Sequence, residues 1–209
     1  MKRIKNTIAI VLTIILAVSL SACGAKIDPH ETVADKALTA LKASDFDTAA
    51  MYFDTDIGAS IGKNTADNEN SNEIHNEDIN NQIIQILMDN LQYTIVSSEE
   101  NDDTAVVTVK IKNINMADVM QDYLSEALNY VFSDISADEL ETKLNELLIS
   151  SMDKNTENLV EKEVDLTLKK TETGWIIAVD TSFVDAITGG TATMAESFES
   201  SLIAVSAKY

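Results

Sequence analysis

The side chains that most often carry out chemistry in proteins are scarce in this sequence. There is one cysteine, Cys23, and there are two histidines, His30 and His75. A catalytic base needs a fixed geometry, and we expect both histidines to be solvated at the surface. No Cys/His cluster suits zinc, no Gly-x-Ser-x-Gly motif suits serine catalysis, and no glycine-rich loop suits phosphate. The sequence therefore predicts no catalytic residue, no metal site and no cofactor.

The acidic residues permit one comparison with a metal site. Asp54-Thr55-Asp56-Ile57-Gly58 begins like a calcium-binding loop, but the remaining ligands and the final glutamate do not follow at EF-hand spacing. The segment Glu99 to Asp103 is predicted to be a solvated hairpin turn. We interpret both segments as surface acids, with specific calcium binding as the alternative.

The strongest chemical signal in the sequence surrounds Cys23. A cationic segment over residues 1–6 is followed by an apolar run from Ile8 to Leu20. About 13 helical residues reach about 20 Å, which is short of the roughly 30 Å hydrocarbon core of a bilayer. That length is typical of the apolar region of a signal peptide rather than of a membrane span.

The residues Leu20-Ser21-Ala22-Cys23 resemble the lipobox of bacterial lipoproteins. The resemblance implies diacylglycerol on the Cys23 sulfur and cleavage between Ala22 and Cys23. Residues 1–22 would then be a signal peptide and residues 23–27 a lipidated tether on the outer face of the cell membrane. Two acyl chains, at about 0.8 kcal/mol per buried methylene, hold a protein on a bilayer. The alternative is an uncleaved signal anchor with an incidental cysteine.

The charge of the chain limits its partners. It has 15 basic and 35 acidic residues and a net charge of -20, and loss of the three basic residues in the signal segment would leave -23. Such a surface repels nucleic acid and anionic lipid headgroups, so we expect no nucleic acid partner. One cysteine permits no internal disulfide, so packing alone must stabilise the fold.

Apolar spacing predicts a single α+β domain over residues 28–209, in which helices pack on an antiparallel sheet. Asp28 is predicted to cap the first helix and Ser44 the second, and the two form a helical hairpin at 33–53. A mobile loop is placed at about 55–76. The other predicted elements are helices at Ile79–Leu91, Met116–Val131, from Ser136 and at Met194–Tyr209, and strands at Tyr93–Ser98, Thr104–Lys112, Val160–Lys170 and Trp175–Thr181.

The hairpin at 33–53, with Val160–Lys170 pairing with Gly174–Asp180, is similar to a group of uncharacterised Firmicutes lipoproteins assigned NTF2-like (cystatin-like) domains. That resemblance implies helices packed against a curved antiparallel sheet, with the helical pair at 116–152 as an insertion between two hairpins. It also implies a pocket between sheet and helices. The residues that could line this pocket are Tyr93, Tyr123, Tyr130, Trp175 and Asp180. In the competing interpretation, Tyr123 and Trp175 are packing residues.

Anchor and composition together favour a non-enzymatic module of the cell envelope. Its expected partners are the membrane, through the lipid anchor, and an envelope protein or a small apolar ligand. Two alternatives stay open. One is an NTF2-like isomerase or dehydratase acting on a small molecule, and the other is a solute-binding lipoprotein of a transporter, for which the chain is short.

Overall fold

The computed structural model describes residues 28–62 and 74–197, and for residues 74–77 it describes the backbone alone. Its elements, in chain order, are α1 (His30–Lys42), α2 (Phe46–Ala50), α3 (Ile57–Ser60), α4 (Ile74–Asn90), β1 (Gln92–Asn101), β2 (Thr104–Ile114), α5 (Met116–Val131), α6 (Ala137–Lys154), β3 (Leu159–Lys170), β4 (Trp175–Ala178) and α7 (Thr181–Ile187). Residues 191–197 are also helical. The predicted α+β class, an antiparallel sheet packed by helices, is confirmed.

The sheet follows chain order, β1-β2-β3-β4, and every neighbouring pair is antiparallel. One face of it is apolar and buried. The buried side chains of β2 and β3 on this face are Ala105, Val107, Val109, Ile111, Val164, Leu166 and Leu168. The opposite face carries ion pairs such as Lys112 with Glu161, whose Nζ and Oε2 atoms are 3.0 Å apart. This alternation is typical of a sheet that packs helices on one side and meets water on the other.

Helix α1 lies on the apolar face and contacts β1, β2 and β4. Its buried stripe repeats at helical spacing and is rich in alanine, which lets the helix approach the sheet closely. The members of the stripe are Val33, Ala34, Ala37, Leu38, Ala40 and Leu41. Helix α4 adds Ile84, Leu87 and Met88 to the same core.

Both predicted caps of the first helical hairpin are wrong by one residue. Helix α1 begins after Pro29 without a side-chain cap. Asp28 instead forms an ion pair with Lys36, which lies further along the helix. Helix α2 is capped by Asp45, whose carboxylate accepts a hydrogen bond from the Thr48 amide at 3.0 Å. Ser44 has a left-handed φ of 55°, because the chain must turn there between the two helices.

The loop predicted at about 55–76 is wrong at both ends. Residues 57–60 form α3, which is capped by Asp56 and buries Ile57 completely. At the other end, α4 already begins at Ile74. A four-residue turn buries one isoleucine, and that is too little to produce a periodic signal. Residues 63–73 lie outside the described residues.

The strand predicted to reach Thr181 ends at Ala178, because Asp180 starts a helix that the sequence did not reveal. Its Oδ1 accepts a hydrogen bond from the Phe183 amide at 2.8 Å. The Phe183 ring is buried and stacks on Phe53, with centroids 5.6 Å apart. Helix α7 therefore completes the core over β2 and β3.

The turn between β1 and β2 is shorter than predicted. Glu99 and Glu100 belong to β1, which continues to Asn101, and the chain reverses at Asp102 with φ of 53°. The strand continues through Glu99 and Glu100 because they pair with Val106 and Ala105 of β2. Across the described residues, no helix has both the length and the apolar character to cross a bilayer.

Candidate functional site

His30 is not the solvated surface residue that the sequence predicted. Its side chain is 13% exposed and meets Trp175 edge to face, with ring centroids 5.7 Å apart. Its Nδ1 lies 3.6 Å from Oε2 of Glu100. Lys170 completes this His30 cluster, with Nζ 5.1 Å from the Trp175 ring centroid and 3.2 Å from Oε1 of Glu100. The sequence missed the cluster because its members are far apart along the chain.

The His30 cluster joins the first turn of α1 to β1, β3 and β4. It therefore fixes the end of the domain at which a tether from Cys23 would arrive. His75, the other histidine, lies in α4 rather than in a loop, and its side chain lies outside the described residues, as Cys23 and Ala22 also do.

The five residues predicted to line a pocket are spread over the domain. The Tyr93 hydroxyl donates to Oδ1 of Asp35 at 2.8 Å, between β1 and α1, and burial raises the pKa of Tyr93. Trp175 belongs to the His30 cluster, and Asp180 caps α7 from an exposed position. Tyr123 and Tyr130 lie on α5. Their role in a pocket stays a prediction.

A cavity of about 840 Å³ lies between α4 and α6, and none of those five residues lines it. Its walls combine five carboxylates with two isoleucines and four other polar side chains. The lining residues are Asp78, Ile79, Gln82, Asp138, Glu141, Thr142, Asn145, Glu146, Ile149, Ser150 and Asp153. Among the residues described, no three His, Cys, Asp or Glu side chains are grouped so that they could hold a metal ion. We name this cavity the acidic groove.

The acidic groove is one side of a helical hairpin formed by α5 and α6. Asn115 caps α5 by accepting from the Ala117 amide at 3.1 Å. Ser136 caps α6 by accepting from the Glu139 amide at 3.3 Å, as the sequence predicted. At the base, the buried Asn155 donates to the Asp122 carboxylate at 2.8 Å. The capped helix starts and the hydrogen bond at the base fix this hairpin at the end of the sheet, where it connects β2 to β3.

The distal half of α5, with its C-cap residue Phe132, carries an exposed apolar surface, which we name the α5 face. It consists of Leu124, Leu128, Val131 and Phe132, which are 42%, 57%, 53% and 85% exposed. Residues at this spacing share one side of a helix. They are far more exposed than Val119 on the same helix, which is fully buried. The sequence predicted the apolar stripe but not that Leu124, Leu128 and Val131 stay exposed.

A largely buried ion pair joins β3 to α7. Lys162 bonds Oδ2 of Asp185, and their side chains are 24% and 11% exposed. Oδ1 of Asp185 also accepts from the amides of Ala192 and Thr193, at 2.8 and 3.1 Å. Desolvation alone would raise the pKa of Asp185, but the hydrogen bonds from Lys162 and Thr193 outweigh it and hold the pKa below its usual value. The carboxylate is thus fully engaged, and it fixes the start of helix 191–197.

No protein-family model matches the chain, and no curated protein matches it. Among solved structures, it is similar to a protein of Bacillus subtilis subsp. subtilis strain 168 (ycdA) that is provisionally classed as a lipoprotein. The two are 18% identical, with a TM-score of 0.42 over 75% of this chain and 46% of that one. The chain thus spans less than half the length of that protein. A likeness at this level establishes neither a shared fold nor a shared activity.

Proposed function

We propose that this chain is an extracytoplasmic lipoprotein, anchored through Cys23, whose domain is a non-enzymatic protein-binding module. The observation that carries the binding role is the α5 face, four large apolar side chains left in water on a well-capped helix. Exposed contiguous apolar surface is typical of an interaction site. The finer resemblance to NTF2-like lipoproteins belongs to the same proposal, and it fits helices packed on an antiparallel sheet.

The tether and the base of the α5–α6 hairpin would lie at opposite ends of the sheet. Residues 24–27 can span no more than about 14 Å, so an anchor at Cys23 would hold the His30 cluster close to the bilayer. The cluster includes Glu100, next to the β1–β2 turn, whereas α5 begins beyond Ile114 at the other end of β2. Ten residues of strand extend about 34 Å. The base of the hairpin would then lie well clear of the headgroups.

The chemistry around the hairpin indicates what kind of partner fits. The α5 face supplies apolar contact, and the acidic groove on α6 supplies carboxylates of which Glu146 is neutralised by Lys143 at 2.9 Å. A partner segment with large apolar side chains flanked by lysine or arginine would match both. Apolar anchors would contribute most of the affinity, and opposite charge would speed association with a chain of strongly negative net charge.

Cys23→Ser should abolish lipidation and processing by a lipoprotein signal peptidase. Without the thiol, no diacylglycerol can attach, and a lipoprotein signal peptidase would lack its substrate. We expect complete loss of fatty-acid label and accumulation of the precursor or release of soluble protein, measured by acyl labelling and membrane fractionation in a bacterial host. Ser19→Ala, which leaves the lipobox residues in place, should behave as wild type. Normal labelling of the serine variant would reject the anchor.

The binding role predicts a partner contact that is specific to the α5 face. A photoreactive phenylalanine analogue at position 128 should cross-link to an envelope protein in intact cells, whereas one at the exposed neighbour Asn129, about 100° further around the helix, should not. With the partner identified, Leu124→Ser with Leu128→Ser should weaken binding at least about tenfold, since buried apolar anchors contribute 1 kcal/mol or more each. Equal cross-linking from both positions would contradict this surface.

A further inference from the structure

The base of the α5–α6 hairpin is firmly attached to the rest of the domain. The Met116 amide donates to the Gly189 carbonyl oxygen at 3.1 Å, which ties the start of α5 to the end of α7. The side chains of Met116, Val119 and Met152 are buried in the core of the domain, together with those of the sheet. The base therefore cannot separate from the sheet without opening that core.

The distal part of the hairpin, residues 128–146, lacks this kind of support. The structure describes all of these residues, and none of them has a buried side chain. Ala127 and Leu147, which are buried at the border of this part, do not belong to the core of the domain. On the side of α4, the acidic groove opens beside α6. The distal part thus buries little apolar surface, although such burial is the main source of stability for short helices in water.

Hydrogen bonds and ion pairs do not compensate for the missing burial. Each one that the structure gives to a side chain in 128–146 joins residues no more than four positions apart. For example, the Thr142 hydroxyl donates to the Asp138 carbonyl oxygen at 3.0 Å, and Lys143 pairs with Glu146 at 2.9 Å. Within the described chain, separating this part from its surroundings therefore breaks no side-chain hydrogen bond or ion pair to a distant residue.

The turn at the tip of the hairpin is nevertheless well formed. The Ser133 amide donates to the Tyr130 carbonyl oxygen at 3.0 Å, and Ser136 caps α6. Asp138 and Glu139 lie in the first turn of α6, where the helix dipole favours negative charge. Because its tip is stable, the distal part should open as a whole rather than fray from the end.

We propose that residues 128–146 form an opening unit, which loses its packing cooperatively while the base of the hairpin and the sheet stay folded. Binding surfaces are commonly found in such regions of low local stability. A partner on the α5 face adds the apolar contacts that the opening unit lacks, and it thereby holds the unit closed. This coupling rests on the proposed function, whereas the opening itself needs no partner.

Hydrogen exchange in the full mature chain carrying Cys23→Ser tests the opening unit without a partner. Amides 128–131 and 141–146 lie within helices, yet we expect them to exchange at least about tenfold faster than the amides of β2, after correction for intrinsic rates. They should share one dependence on low urea concentrations, because one event exposes them all. Amides 120–122 and 150–153 of the same two helices are the matched control and should exchange as slowly as β2.

Two leucine substitutions should accelerate exchange at different amides. Leu147→Ala removes the larger of the two buried side chains at the border of the opening unit and should speed exchange of the unit at least about tenfold, with β2 unchanged. Leu166→Ala removes the same side chain from the core of the domain. It should speed exchange of β2 and leave the unit unchanged, because the unit already opens without the sheet. If either variant does not fold, the exchange profile of the unsubstituted chain decides the question.

Three results would overturn the inference. They are exchange of the opening unit as slow as that of β2, urea dependences that differ between its α5 and α6 amides, and equal acceleration of the unit and β2 by Leu147→Ala. The partner captured by the position-128 cross-link separates this inference from the proposed function. Fast exchange with no cross-linked partner would reject the binding role alone, whereas a bound partner that leaves the exchange of amides 128–131 unchanged would reject the coupling.

Discussion

Gly189→Ala should lower the free energy of unfolding by more than about 3 kcal/mol or prevent folding altogether. Gly189 has φ of +68°, and an added Cβ would lie 1.9 Å from the Ile114 carbonyl oxygen and 3.3 Å from Cγ of Met116. The oxygen belongs to the backbone at the end of β2, so it cannot move without shifting the sheet or the start of α5. Overpacking against a fixed backbone is among the most costly of single substitutions.

Gly62→Ala is the matched control for this prediction. Gly62 also has a positive φ, +89°, but an added Cβ would meet nothing within 4 Å. The substitution should therefore cost only backbone strain, about 1 kcal/mol. Urea unfolding followed by fluorescence of Trp175, the single tryptophan, measures both variants. Equal destabilisation would show that the close approach to Ile114 is not what requires glycine at position 189.

The strands and the long helices could be predicted from sequence because their signals are local. In β2 every second residue from Ala105 to Ile111 is buried, and this is the alternation that the sequence displays. Helix α5 has the bounds that its apolar stripe predicts, and Ser136 caps α6 as predicted. Each of these features depends on neighbours within a few residues.

The errors arise where distant contacts decide the outcome. Asp180 looks like the end of a strand until Phe183, three residues later, is seen to stack on Phe53. His30 looks solvated until β4 brings Trp175 against it. Seven residues of α7 carry too little periodicity to outweigh the strand-like sequence before them. Tertiary packing overrides local preference at both places.

The candidate functional residues also fall into those that a local sequence pattern identifies and those that only the fold identifies. The lipidation signal is contiguous, so residues 20–23 are enough to predict it. The α5 face has no such signature, because a stripe identifies the apolar side of a helix and does not say what covers it. Met116, Val119 and Ala127 of that stripe are buried, whereas Leu124, Leu128 and Val131 are exposed. Only the packing of the neighbouring elements in three dimensions shows which of these side chains stay exposed.

Asp185→Asn should destabilise the fold by about 2–3 kcal/mol at neutral pH. The carboxylate is 11% exposed and accepts from Lys162 and from the amides of Ala192 and Thr193, so the amide variant loses the ion pair and leaves Lys162 unpaired in a confined site. Fully buried pairs cost about 3–5 kcal/mol when broken, and the partial exposure of Lys162 reduces that figure. Hydrogen exchange at Ala192 and Thr193 should accelerate at the same time.

The contribution of Asp185 to the free energy of unfolding depends on pH. The pKa of Asp185 is lower in the folded protein than in the unfolded chain, so its contribution is fully present above about pH 4, the unfolded value, and is lost as pH falls through the folded pKa. The variant should therefore lose less stability than the wild type over that acid range. Glu161→Gln removes an ion pair with Lys112 that is exposed on the outer face of the sheet, and it should leave the neutral-pH stability nearly unchanged.

A double-mutant cycle with Lys162→Met then separates the pair from the cap. If the carboxylate acts chiefly through Lys162, the two single changes should each be costly and the double change should cost clearly less than their sum. If it acts chiefly by holding the amides of helix 191–197, the two costs should add. In that second case, the rate of hydrogen exchange at the Thr193 amide should rise with Asp185→Asn and not with Lys162→Met. The start of helix 191–197 would then depend on one carboxylate, and acid would loosen that helix before it loosens the sheet.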